Sequence, residues 1–84
     1  MTDEEYYEML KSERIADDTI GGVRVSTVIT FSGFTESRVG ETMIFLNGGE
    51  VAGLKDADGE RCPIWEVKEM HARWVMKVAK AVYA

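Results

Sequence analysis

The alternation of apolar and polar side chains lays out most of this chain. Residues 23–32, VRVSTVITFS, are rich in β-branched side chains, with Val23, Val25, Thr27, Ile29 and Phe31 on one face. Arg24, Ser26, Thr30 and Ser32 fall on the other, interrupted by Val28. The pattern predicts a strand with one buried face. In ETMIFLN, 41–47, Met43 and Phe45 share one face and Ile44 and Leu46 the other, which predicts a central strand buried on both sides. Between them GFTESRVG, 33–40, reads as a glycine-bounded loop longer than a tight turn.

The second apolar run stops at Asn47-Gly48-Gly49, where two glycines can take positive φ without steric cost. That predicts a hairpin turn into a third strand over EVAGLK, 50–55, with Gly53 marking a bulge or an edge. DADGER, 56–61, reads as another turn, followed by a brief fourth strand at 60–62. Pro63 suits the first turn of a helix, where its missing N–H costs nothing. From Ile64 onward the period becomes 3.6. Val67, Met70, Trp74, Val75, Val78 and Val82 form one stripe, and Glu66, Glu69, Arg73, Lys77 and Lys80 lie opposite.

Ahead of the first strand, Thr2-Asp3-Glu4-Glu5 fits a capping box, and Tyr6, Met9, Leu10 and Ile15 give a rough helical stripe. A short helix over about residues 3–14 is expected, with Asp17-Asp18 and Gly21-Gly22 as punctuation after it. The predicted fold class is α+β in a single small domain. It has a short acidic N-terminal helical segment in 1–18, a three- to four-stranded antiparallel meander in 23–62, and one long C-terminal helix over 64–83 that covers the sheet.

Charge sharpens this picture. The chain of 84 residues carries a net charge of −5. Residues 1–18 hold seven acids (Asp3, Glu4, Glu5, Glu8, Glu13, Asp17, Asp18) against two bases (Lys11, Arg14), which is the whole excess. The remainder balances eight acids with eight bases, leaving no basic surplus for phosphates, so direct nucleic-acid binding is not expected. An acidic segment favours a protein partner with a basic surface, or it simply solvates a helix face. No apolar run approaches the roughly 18 residues of a membrane helix, and the acidic start lacks the apolar core of a secretory signal. A single cysteine, Cys62, can form no internal disulfide and supply no cysteine-based zinc site, so a cytoplasmic setting is expected.

Candidate chemistry is sparse. His71, the one histidine, borders the apolar stripe and as a general base would need a carboxylate or nucleophile beside it. Its ordinary role there is a hydrogen bond to the sheet or its loops. Asp56, Asp58 and Glu60 beside Gly59 resemble part of a calcium loop but lack its later glutamate and flanking helices, so an Asp-Gly turn is the better reading. Ser26, Thr27, Ser32, Thr35 and Ser37 lack the setting of a nucleophile elbow, and Gly48-Gly49 lacks the Lys-Ser/Thr of a phosphate loop. No cofactor is expected. Trp74 belongs to the core stripe. Trp65, near the helix start, either caps the sheet edge or, if exposed, anchors an interface.

VSTV at 25–28, ETMIF at 41–45, an arginine-containing turn and a helix bearing His71 together resemble a family of small uncharacterised proteins of actinobacterial phages. Ser26, Thr27, Glu41, Thr42, Met43, Phe45, Gly48, Gly49, Arg61 and His71 follow that family's order. Cys62 stands where the family has tyrosine, Met70 where it has glycine, and EVAGLKDA looks like an insertion. The resemblance implies a phage or prophage accessory protein in the host cytoplasm.

Three functions are therefore expected in order. The first is a non-enzymatic protein-binding module acting on a host or phage protein, with Trp65, Tyr6, Asp3, Glu4, Glu5 and Glu8 as interface candidates. The second is a structural homo-oligomer, a homodimer being the simplest, joined at open sheet edges. The third is a small enzyme or enzyme subunit using His71, with Arg61 as a further functional candidate.

Overall fold

Gly21 and Gly22 both take positive φ, +55° and +84°, and between them reverse the chain in two residues. Two-residue hairpins need this conformation, because only such turns match the twist of the flanking strands. In the computed structural model, which describes residue 2 and residues 13–32, 37–47, 51–54 and 59–83, this turn joins β1 (Glu13–Ile20) to β2 (Val23–Ser32). β3 (Ser37–Leu46) and β4 (Gly59–Cys62) follow, then a 3-10 turn (Ile64–Glu66) and α1 (Val67–Val82). The sheet is antiparallel throughout, in the order β1-β2-β3-β4, and α1 lies across one face. The α+β class and the meander under a C-terminal helix are as the sequence predicts.

Register sorts the side chains. Val25 sits opposite Ile44 and Thr27 opposite Thr42, while Asp18 pairs with Val25 and Cys62 with Gly40. These residues form the inner face, under α1. Val23, Val25, Ile44, Met70 and Val78 are 2% exposed or less, and Trp74 and Val67 are buried with them. Each such aliphatic side chain contributes roughly 1.5–3 kcal/mol by leaving water. Both ends of the helix rest on glycines. A Cβ at Gly40 would run into Val67, and one at Gly21 into Val82. The sheet thus presents bare backbone where α1 comes nearest.

Four expectations need correction. The N-terminal helix cannot reach residue 14, because Glu13 and Arg14 are extended and pair with Ile29 and Val28. The rest of that expected helix, with Tyr6, Asp3, Glu4, Glu5 and Glu8, lies outside the described residues. Asp17 and Asp18 are not punctuation but sit inside β1, where pairing with β2 overrides their poor strand propensity, whereas Gly21-Gly22 does punctuate the chain as the turn. β3 starts at Ser37, so 37–40, expected as loop, are strand paired with β2.

The expected third strand over 50–55 is a turn where it is described. Leu54 N–H donates to the Val51 carbonyl at 3.0 Å, and Gly53 takes φ +85°. That geometry sends Val51 and Leu54 into the core together instead of alternating them across a sheet. The brief strand expected at 60–62 is β4. Gly48, Gly49, Asp56 and Asp58 lie outside the described residues. The helix expected over 64–83 begins as the 3-10 turn and becomes α-helical at Val67.

Candidate functional site

One buried polar array crosses the inner face. Thr27 and Thr42, directly opposite on β2 and β3, bring their hydroxyl oxygens to 2.5 Å. Thr27 Oγ1 also lies 2.7 Å from His71 Nδ1 on α1, and His71 Nε2 lies 2.7 Å from Asp18 Oδ2 on β1. Three strands and the helix each supply one member. The Asp18 carboxylate only accepts, so Nε2 carries the proton and donates to it. In the neutral ring Nδ1 then accepts from the Thr27 hydroxyl, which accepts from Thr42.

The order carboxylate, imidazole, hydroxyl is that of a nucleophile with its base and orienting acid. Access decides what it can do. Both threonines are 0% exposed, and His71 is buried at 7%. Only the Asp18 end meets solvent, its side chain 56% exposed. Thr27 Oγ1 therefore presents no surface to solvent. The array satisfies polar groups that would be costly to bury alone, and it ties β1, β2, β3 and α1 together.

A second tie joins β4 to α1. Glu60 accepts from Arg73 Nη2 at 2.9 Å and from the indole Nε1 of Trp74 at 3.1 Å. The thiol of Cys62 beneath it is pushed above its ordinary value by burial first, then by the negative charge of Glu66 and Glu60. Glu60, read with Asp56 and Asp58 as turn acids, is thus a helix–sheet contact. Among the described residues, no group of three or more His, Cys, Asp or Glu is placed to hold a metal ion.

The outer face carries ion pairs. Arg24 donates Nε and Nη2 to both oxygens of Asp17 at 2.7–3.1 Å, and its guanidinium lies 5.8 Å from the Phe45 ring. That hydrogen bond holds the Asp17 carboxyl below the usual carboxylate range and raises Arg24. Arg61 donates to Glu41 at 2.7 Å across β3 and β4, beside an open groove of about 310 Å³ that Met43, Gly59 and Glu60 also line. Arg61 and His71, the two functional candidates of the sequence, therefore stand on opposite faces of the sheet.

Trp65 is 82% exposed in the 3-10 turn, with Ile64 beside it at 41%. Of its two alternatives, sheet-edge cap and open surface, it takes the second. The sequence reading missed Asp18 and Thr42 as partners of His71. The available signal was a hydroxyl at a core-facing position of each of two neighbouring strands, Thr27 and Thr42, which must find partners once buried. No helix among the described residues is long and apolar enough to cross a membrane. Comparison with known protein families, with curated proteins and with solved structures finds no match.

Proposed function

We propose that this chain is a non-enzymatic protein-binding module, a small phage or prophage accessory protein that acts on a host or phage protein in the host cytoplasm. The observation that carries it is Trp65, which stands 82% exposed next to Ile64 in the 3-10 turn before α1. Exposed tryptophan is costly to solvate and is enriched among residues that dominate binding energy. The sealed position of Thr27 and Thr42 supports the absence of catalysis at His71. The net charge of −5, all of it from residues 1–18, supports a partner with a basic surface. The sequence resemblance to actinobacterial phage proteins supports the phage setting.

Affinity capture from host lysate, with Trp65→Ala as the matched control, tests this reading. The expected result is a protein retained by the native chain and lost with Trp65→Ala. Recovery of the same proteins by both baits would overturn it. A second reading, a homo-oligomeric assembly protein, is favoured by Met76 and Tyr83, which are 61% and 74% exposed on and just after α1.

A further inference from the structure

We propose that a second copy of this chain docks antiparallel on the outward face of α1, forming a two-fold symmetric dimer with Trp65 at each end of the contact. This rests on the second reading above, the homo-oligomer, and names the surface through which the copies join.

α1 carries two apolar stripes. The buried one is Val67, Met70, His71, Trp74 and Val78. The other consists of Ala72, Met76, Ala79 and Tyr83, spaced 4-3-4. At about 100° per residue, Met76 lies about 200° around the helix from Trp74, so this stripe faces away from the core. Ala72, Met76 and Tyr83 are exposed and Ala79 is half-buried. Trp65 precedes Ala72 by seven residues and continues the line through the 3-10 turn, with Glu69 as the one acid on it. Spacing of this kind is the seam of a two-helix coiled coil, in which each apolar side chain seats between residues of the facing helix.

The stripe is self-complementary in one direction only. In an antiparallel pair Met76 meets Ala72 of the second copy, Tyr83 meets Trp65 and Ala79 meets Glu69, each contact occurring twice. Large faces small at the centre, and aromatic faces aromatic at the ends. Charge selects the same direction. Glu66 and Glu69 lie early on the helix side of the chain, and Lys77 and Lys80 lie late. Antiparallel docking sets Glu66 against Lys80 of the second copy and opposes the two helix dipoles favourably. Parallel docking would set Glu69 on Glu69 within the seam, which is repulsive. Arg73 falls near its symmetry mate, but Glu60 already neutralises it at 2.9 Å. One helix against its copy is a contact at the small end of protein interfaces, so the dimer is a reversible one.

Sedimentation equilibrium of the full chain over about 1–300 μM tests the proposal. The expected result is a monomer–dimer equilibrium that Met76→Glu, at an exposed position, shifts to monomer by tenfold or more in Kd, with unchanged circular dichroism. Glu66→Lys weakens the dimer, and Glu66→Lys combined with Lys80→Glu restores it. Mixed chains carrying Trp65→Cys and Tyr83→Cys crosslink to each other more readily than Trp65→Cys chains do among themselves. A native chain that stays monomeric across the range, or a dimer indifferent to Met76→Glu, overturns the proposal. A monomer that still captures another protein through Trp65 sinks the dimer alone. A Met76-dependent dimer supports it whatever the capture experiment recovers.

Discussion

His71 Nδ1 and Thr27 Oγ1 stand 2.7 Å apart although 44 residues separate them in the chain. That bond and its neighbour to Thr42 fix where α1 lies along the sheet, because hydroxyls and ring nitrogens buried this deeply have no water to turn to. Thr27→Val keeps the shape of the site and leaves Nδ1 without its donor. It is expected to cost about 1–3 kcal/mol, read as a lower urea midpoint at unchanged slope. Thr42→Val costs less. The double substitution costs less than the sum, since both remove the same bond. Strict additivity would show that the two hydroxyls do not act together.

Backbone approach is the second determinant of the helix position. Gly40→Ala places a methyl against Val67, with Cys62 Sγ 3.1 Å away. Overpacking of this kind costs about 1–3 kcal/mol. Val67→Ala added to Gly40→Ala is expected to recover part of the loss, although Val67→Ala alone destabilises. Thermal denaturation of the four proteins checks this, and failure of the pair to recover anything would mean that the helix is not seated on Gly40.

The Asp17–Arg24 pair predicts the acid side of the stability profile. Arg24 holds the folded Asp17 carboxyl below its ordinary value of 3.8, so the folded chain binds fewer protons there than the unfolded chain. The contribution is present above the ordinary value and is lost as pH falls through the folded one, below about pH 4. Asp17→Asn is expected to flatten that part of a stability–pH curve and to leave the neutral region little changed, since the pair is open to solvent.

Cys62 is buried and its thiol is shifted upward, so little thiolate exists at neutral pH. Alkylation by iodoacetamide is expected to be more than about tenfold slower in the native protein than in denaturant. Rapid native alkylation would place the thiol in solvent, contrary to its packing beneath Gly40 and Val67.

Local pattern carried the fold a long way. The stripe of Val67, Met70, Trp74 and Val78 announces a helix with one buried face, and the alternation of 23–32 announces a strand, because each period follows from backbone geometry alone. The apolar run of 41–46 also announces a strand, although its Met43 and Phe45 face is only half-buried, with α1 covering the other side. Gly21-Gly22 even carried a hairpin signal, two residues between Ile20 and Val23. It went unread because Asp17 and Asp18 have low strand propensity and the acidic stretch before them favours helix. Pairing with β2 supplied what propensity lacked. The turn at 51–54 was hidden for the opposite reason: Val51 and Leu54 are apolar enough for a strand, and only the core decides that both point inward.

The sequence by itself therefore determined the secondary elements with regular periods, the meander of β2 and β3, and the covering helix. Tertiary structure alone decided that His71 is locked between Asp18 and Thr27, that Trp65 faces water, and that Arg61 lies on the far side of the sheet. The reason is physical. Periodicity is written in residues a few positions apart, whereas a hydrogen-bond partner 44 or 53 residues away exists only once the sheet and helix have packed.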